Sequence, residues 1–263
     1  MLDNHYVPKG WGILTNINGV STYTILVSLS VILGIVSYLI LSIIDKKMND
    51  QKETDNNKEL VKSKNKYTID IVIMALLGGF IGSKIPVIIE NIDKILDNVN
   101  NLKLFLLSGK SIVGGLVGGY IAIRIYKKIN NIKGMRFGNN IAPSVALGMG
   151  IGRIGCFLSG CCYGIKTNLL GINFGDGLRI PTQLYEAIFC IILFVYLILK
   201  KYKKKDLKDG ELFSNLVIYY FVFRFIIEFV RATEKNILFL SIYQIICLIG
   251  IIFMLFREMK EEK

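Results

Sequence analysis

Histidine is almost missing from this chain of 263 residues: His5 is the only one. Paired C-x-x-C spacings are absent too, so a structural zinc site is not expected. Charge is scarce. Asp, Glu, Lys and Arg make up 20% of the residues against 52% hydrophobic, and mean hydropathy is +0.50. That balance excludes disordered, collagen-like and low-complexity chains, and it is too apolar for an ordinary soluble domain. No internal repeat is present, which gives no support to an inverted-repeat transporter. The first 24 residues lack the basic start and short apolar core of a cleavable signal. With Tyr6, Trp11 and Tyr23 among them, they read as an ordered external segment near lipid headgroups.

What is present is apolar length. Ile25–Ile44 and Ile237–Phe256 are charge-free runs of twenty residues, and about 20 apolar residues cross a bilayer as a helix. Five less pure stretches lie between them: 69–89, 104–123, 141–157, 181–199 and 212–230. The expected fold is therefore an all-α integral membrane protein of seven transmembrane helices, forming one transmembrane domain over residues 1–263. The third stretch, with four glycines, could instead be re-entrant. The segment 45–68, rich in Lys, Asn, Asp and Glu, reads as a mobile cytoplasmic loop.

The 32 Lys and Arg residues set the orientation. One side collects 21 of them, the other 8, and Lys84, Arg153 and Arg224 fall inside spans. Cytoplasmic loops carry the excess, so the N-terminus is expected outside and the C-terminus in the cytoplasm. The net charge of +12 is then a topology signal, and no nucleic-acid partner is expected.

Three of the five cysteines form a C-x4-C-C cluster, Cys156, Cys161 and Cys162, at the outer end of the fourth span. The cluster reads either as packing, with a disulfide permitted on an external face, or as reactive or substrate-contacting thiols. Cys190 and Cys247 lie mid-span and read as apolar filler. Gly150, Gly152 and Gly155 match the G-x-G-x-x-G dinucleotide pattern. That pattern has meaning only between a strand and a helix of a βαβ unit. Inside an apolar span these glycines read as close-packing positions, like Gly78/Gly82, Gly114/Gly118 and Gly148/Gly152.

The charges inside spans carry the most information, because each costs at least ~2.5 kcal/mol at the bilayer centre unless it faces protein or a wet cavity. Arg224, Glu228 and Arg231 follow helical spacing and are expected on one face. Arg224 then pairs with Glu228, either as a structural ion pair or as part of a site, and Arg231 is left for an anion. Arg153 has no acid within one turn, so its partner is remote or an anionic ligand. Guanidinium forks converging in a membrane bundle suit phosphate, and the phosphate at hand there is a lipid headgroup.

The run from Gly148 to Gly164 (GMGIGRIGCFLSGCCYG) resembles the signature of bacterial prolipoprotein diacylglyceryl transferases. PTQLYE from Pro181 to Glu186 is similar to that family's P-S-Q-L-Y-E. FRFIIEFVR from Phe223 to Arg231 resembles its R-x3-E-x2-R helix, SIYQ from Ser241 to Gln244 its last span, and SIVGGLVG from Ser111 its H-G-G-L-I-G block. The matches run in family order over about residues 70–256. The departures are local. The family histidine before the double glycine is Val113, a second histidine is Ile180, the asparagine after Arg-x-Gly is Cys156, and Asn-Gly-Glu is Ser159-Gly160-Cys161. The chain reads as a cysteine-motif branch of that family.

The resemblance implies a multi-pass enzyme of the bacterial inner membrane. Its reaction would move diacylglyceryl from phosphatidylglycerol to the lipobox cysteine of a prolipoprotein signal peptide, with no cofactor. Arg153 and Arg224 would hold the lipid phosphate, supported by Glu228 and Arg231. Gln183, Tyr185 and Glu186 would line the same cavity, and Gly114, Gly115 and Gln244 would contact substrate. With the histidine gone, Cys161 becomes a candidate base or nucleophile, expected to ionise more readily beside Arg153. Glu186, Glu228 and Tyr185 are alternatives. An enzyme with another acceptor or cysteine-based chemistry, and a non-catalytic lipid-binding protein, also remain open.

Overall fold

The computed structural model describes residues 16–17, 20–50, 68–98, 102, 111–132, 137–175, 177–204, 207–208, 210–233 and 239–261. The expected external segment and cytoplasmic loop therefore lie largely outside the described residues. A two-residue hairpin, β1 (Asn16–Ile17) and β2 (Val20–Ser21), leads into α1 (Thr22–Asp50). Then come α2 (Thr68–Glu90), the short α3 (Ile92–Asp97), α4 (Ile112–Ile129) and α5 (Phe137–Leu158). A second small hairpin, β3 (Ile172–Asn173) with β4 (Leu178–Arg179), precedes α6 (Thr182–Lys203). The chain ends with α7 (Glu211–Ile227), a 3-10 turn (Glu228–Val230) and α8 (Ile242–Glu261).

Among the described residues seven helices have 17 or more residues. Five stretches are long and apolar enough to cross a membrane: Thr22–Asp45, Ile69–Glu90, Gly138–Leu158, Thr182–Lys203 and Glu211–Val230. Ile242–Arg257 is a shorter apolar helix, and α4 carries Arg124, Lys127 and Lys128 in its C-terminal half. The helices expose broad apolar faces, Ile32, Leu39, Phe80, Ile192 and Ile249 among them. Such surfaces suit lipid rather than water. The protein is mostly helical and multi-pass in character.

The helix bounds differ instructively from the apolar runs. The last run begins at Ile237, but α8 starts at Ile242. Ser241 and Gln244 form a capping box: the Ser241 amide donates to Gln244 Oε1 at 2.9 Å, and the Gln244 amide donates to Ser241 Oγ at 3.3 Å. A second correction concerns the helical face expected of Arg224, Glu228 and Arg231. Helix α7 stops at Ile227, Glu228–Val230 tighten into a 3-10 turn, and Arg231 is extended (φ −81°, ψ 149°).

The chain forms two compact units: Met1–Tyr38 with Ile141–Leu207 and Glu211–Lys263, and Leu39–Asn140 with Lys208–Gly210. In the second, α2 and α4 pack through glycines. A Cβ on Gly82 would come 2.5 Å from the Gly114 carbonyl, and one on Gly78 2.6 Å from the Gly118 carbonyl. Two small-xxx-small motifs thus interlock backbone to backbone. In the first unit the three glycines of the dinucleotide-like pattern turn to different neighbours. Gly150 abuts Ala187 and Ile191 of α6, Gly152 faces Ser30 of α1, and Gly155 meets Leu26 of α1. They serve helix packing. The buried stripe of α6 (Gln183, Glu186, Ala187, Cys190, Leu193, Leu197) follows helical periodicity. Phe189 stacks on Phe223 of α7 with centroids 4.1 Å apart, and Gly250 of α8 sits against the Phe221 ring.

Candidate functional site

The first unit buries a network of three arginines and two glutamates. Arg153 reaches from α5 to α6, where its Nε lies 2.8 Å from Glu186 Oε1. Its partner is remote in sequence, the first of the two alternatives that its isolation in the chain left open. Arg224 Nη1 lies 2.6 Å from Glu228 Oε2, one helical turn on. Arg231 sits between both acids, with Nη1 3.6 Å from Glu186 Oε2 and Nε 3.5 Å from Glu228 Oε2. All five side chains are at most 7% exposed as residues.

Hydroxyl groups complete the carboxylates. Tyr220 Oη donates to Glu186 Oε1 at 2.6 Å, and Thr233 and Ser241 donate to Glu228 Oε1 at 2.7 and 3.1 Å. The Arg224 guanidinium also lies 5.6 Å from the Tyr243 ring centroid. Three guanidinium groups, always charged, face two carboxylates, which leaves one positive charge in excess. The Arg231 contacts are long, and its Nε and Nη1 make no hydrogen bond. An anion entering here finds donors without having to break a tight pair.

A second group adjoins the first. The Sγ atoms of Cys156, Cys161 and Cys162 all lie within 4.8 Å of one another, and Arg153 Nη1 is 3.9 Å from Cys156 Sγ. None of the five cysteines, all among the described residues, is in a disulfide. The loop that gathers the three is a tight one. The Cys161 amide donates to the Cys156 carbonyl at 3.0 Å, and Gly160 and Cys162 both take left-handed backbone (φ 69° and 63°). Glycine adopts that conformation freely, whereas at Cys162 it is strained. Two buried side chains at the start of α6 hold the loop. Gln183 Nε2 donates to the Cys161 carbonyl at 2.8 Å and Thr182 Oγ1 to the Cys162 carbonyl at 2.9 Å. Hydrogen bonding with Cys156 and Cys162, and then burial, hold the Cys161 thiol well above the usual thiol range. The expectation of a readily ionised Cys161 beside Arg153 is therefore corrected: its nearest partners are thiols.

Further along the loop, Gly164 passes where no side chain fits. A Cβ there would lie 2.5 Å from the Val230 carbonyl and 2.9 Å from Ile180 Cβ. Its amide donates to the Ile180 carbonyl at 2.8 Å and the Ile165 amide to Val230 at 2.9 Å, which ties the loop to the Arg231 segment. Phe174 packs between Phe157 and Tyr163, and the Arg179 guanidinium lies 4.6 Å from the Tyr163 ring centroid.

The structure thus brings together Arg153, Arg224, Arg231, Glu186, Glu228, Gln183 and Cys161. Gln244 joins through its capping box and through Nε2, which donates to the Phe225 carbonyl at 3.3 Å. Tyr185 is off the buried stripe of α6 and 38% exposed, so it does not share the interior with Gln183 and Glu186. Gly114 and Gly115 belong to the second unit and pack against α2 there, near Gly82 and Gly79 respectively. Tyr220, Ser241, Thr182 and Thr233 were not anticipated. The S-x-x-Q spacing could have flagged Ser241, but a tyrosine inside an apolar run carries no comparable signal.

These features define a helical membrane protein with an arginine–carboxylate network buried among apolar helices. The family model described as prolipoprotein diacylglyceryl transferase matches residues 13–257. A phosphatidylglycerol–prolipoprotein diacylglyceryl transferase of Clostridium tetani is 39% identical over 72% of this chain and 79% of its own length. The protein of that name from Clostridioides difficile is 33% identical over 70% of this chain and 74% of its own. The one from Finegoldia magna is 28% identical over 92% and 91%. The chain belongs to the prolipoprotein diacylglyceryl transferase family.

Proposed function

We propose that this chain moves the diacylglyceryl group of phosphatidylglycerol to the lipobox cysteine thiol of a prolipoprotein, releasing glycerol phosphate, in the bacterial inner membrane. The observation that carries this reading is the buried network with its one excess positive charge, in a chain whose relatives bear that enzyme's name. Arg153 and Arg224 hold the lipid phosphate and stabilise the negative charge that grows on the departing glycerol phosphate. Glu186 and Glu228 orient the guanidinium planes, and Arg231, the loosest of the three, closes on the phosphate. Cys161 and its neighbouring thiols lie on the acceptor side of Arg153.

The proposed frame is a single domain of seven spans with the N-terminus outside, which puts the cysteine loop on the outer face. The 21-to-8 division of Lys and Arg supports that orientation. In intact cells a membrane-impermeant thiol reagent should label a cysteine placed at Asn168, and one at Asn56 only after lysis; the reverse pattern overturns the orientation. The activity itself is tested by expressing the chain in a transferase-depleted strain. Restored lipidation of a reporter prolipoprotein is expected. Failure to restore it, with the protein folded in the membrane and inactive on phosphatidylglycerol and lipobox peptide in vitro, overturns the reading.

A further inference from the structure

We propose that Cys156, Cys161 and Cys162 form a three-thiolate metal site, taking Zn2+, whose fourth position receives the acceptor thiol. The proposal rests on the transferase reading for that last ligand.

Geometry is the first argument. The three sulfurs lie within 4.8 Å of one another. In a tetrahedral site with Zn–S bonds of about 2.3 Å, sulfurs are about 3.8 Å apart. The observed grouping therefore needs only a small contraction around an ion. Such proximity is not an accident of a flexible segment. Left-handed backbone at Gly160 and Cys162, and the two donors from Thr182 and Gln183, impose the turn that collects the sulfurs. A non-glycine residue strained beside a functional cluster is where a built site is expected.

The donor set gives the second argument. Three soft sulfur ligands select thiophilic cations such as Zn2+ over Mg2+ or Ca2+. Three protein ligands with an open position mark zinc sites that bind a reacting molecule, whereas closed structural sites use four. Three thiolates on Zn2+ leave one negative charge, which the Arg153 guanidinium, shared with Glu186 and 3.9 Å from Cys156 Sγ, offsets in part.

Chemistry supplies the third. The acceptor must lose a proton before its sulfur can attack, and Val113 stands where the family pattern has histidine. Glu186 and Glu228 are engaged with arginines and hydroxyl groups. A thiol bound to Zn2+ is deprotonated outright. On binding, the acceptor thiol gives its proton to external water and its sulfur becomes the fourth ligand. The sulfur pair then attacks the glycerol methylene carbon that bears the phosphate. A C–S bond forms and the C–O bond breaks, its electron pair leaving on the glycerol phosphate oxygen; nothing is oxidised or reduced. Arg153 touches both the thiol group and the acid network, so nucleophile and leaving group would meet on either side of one side chain.

The test uses the full chain purified in lipid nanodiscs, with metal content read by mass spectrometry. About one zinc per chain is expected, falling at least about tenfold in Cys161→Ser and Cys162→Ser, and unchanged in Cys190→Ala. Wild-type protein loaded with Co2+ should show sulfur-to-cobalt charge-transfer absorption. That absorption should intensify on adding a lipobox peptide, but not its Cys→Ser version. Both cobalt readings need no variant to fold. Protein that transfers diacylglyceryl while free of metal and indifferent to chelator overturns the site and leaves the transferase reading intact. Cobalt absorption that the cysteine peptide does not alter overturns the acceptor position. Bound metal with the expected spectral change, in a protein inert towards phosphatidylglycerol, supports the site and overturns the transferase reading instead.

Discussion

The α2–α4 pair and the α5–α6–α7 group show two opposite ways for apolar helices to associate. In the first, glycines let backbones touch: Gly78 and Gly82 meet Gly114 and Gly118 with no room for a Cβ. In the second, long charged side chains reach across, and five ionised groups share a volume closed to solvent. Lipid tails are as apolar as leucine, so burying apolar surface drives neither association; close packing drives one and polar satisfaction the other. The lesson is in the tolerance of each. A glycine interface fails by crowding, a charged one by the loss of a single partner.

The largest effect is expected where a partner is lost. Arg224→Ala leaves Glu228 with only the distant Arg231 and two hydroxyl donors, and should lower stability by about 3–5 kcal/mol. Unfolding in detergent, followed by thermal shift, measures it; stability equal to wild type would make the network dispensable for packing. Arg153→Ala should cut diacylglyceryl transfer by about 10²–10³-fold, the typical loss for one charge-stabilising donor. Arg153→Lys should recover little, because a compact ammonium cannot replace a planar fork. Phosphatidylglycerol binding and turnover by Arg153→Ala at wild-type levels would confine that residue to structure. Gly82→Ala should cost about 1–3 kcal/mol through overpacking, since the Gly114 carbonyl it meets is backbone and cannot rotate away. An unaffected melting temperature would mean the two helices part easily. Smallest is Ser241→Ala, which removes a helix cap and one Glu228 hydrogen bond. About 1–2 kcal/mol is expected, read as a modest fall in the same unfolding assay.

The apolar runs were legible because span length is a one-dimensional signal. So were the small-residue pairs, and the buried charges stood out by cost alone. Helix ends were less so. The run from Ile237 stays apolar past the true start of α8, and only hydrogen bonding between Ser241 and Gln244 marks the boundary. Arg231 shows a different limit. Its spacing from Arg224 fits a helix, yet a 3-10 turn intervenes and the side chain reaches Glu186 from extended backbone. The three cysteines stood out as a cluster, but the convergence of their sulfurs was hidden for a related reason. C-x4-C-C spacing brings three sulfurs together only through left-handed residues at Gly160 and Cys162, and nothing in the sequence announces the strained one. Tyr220, lost among aromatic neighbours on α7, became visible only once Glu186 was placed opposite it.

The chain order of the charged residues bears on how the protein enters the bilayer. Each unpaired charge costs about 2.5–3.5 kcal/mol on insertion scales. Within the arginine–glutamate network Arg153 arrives first, and its acid, Glu186, follows in the next long helix, 33 positions later. Arg224 brings Glu228 within its own segment. Neither of these two arginines waits for more than one further helix to be synthesised, and a nascent chain ending after α6 already holds the first pair. Arg231, which touches both acids, comes last. It completes the network only when both earlier pairs are inside, so biogenesis and the final charge balance close on the same residue.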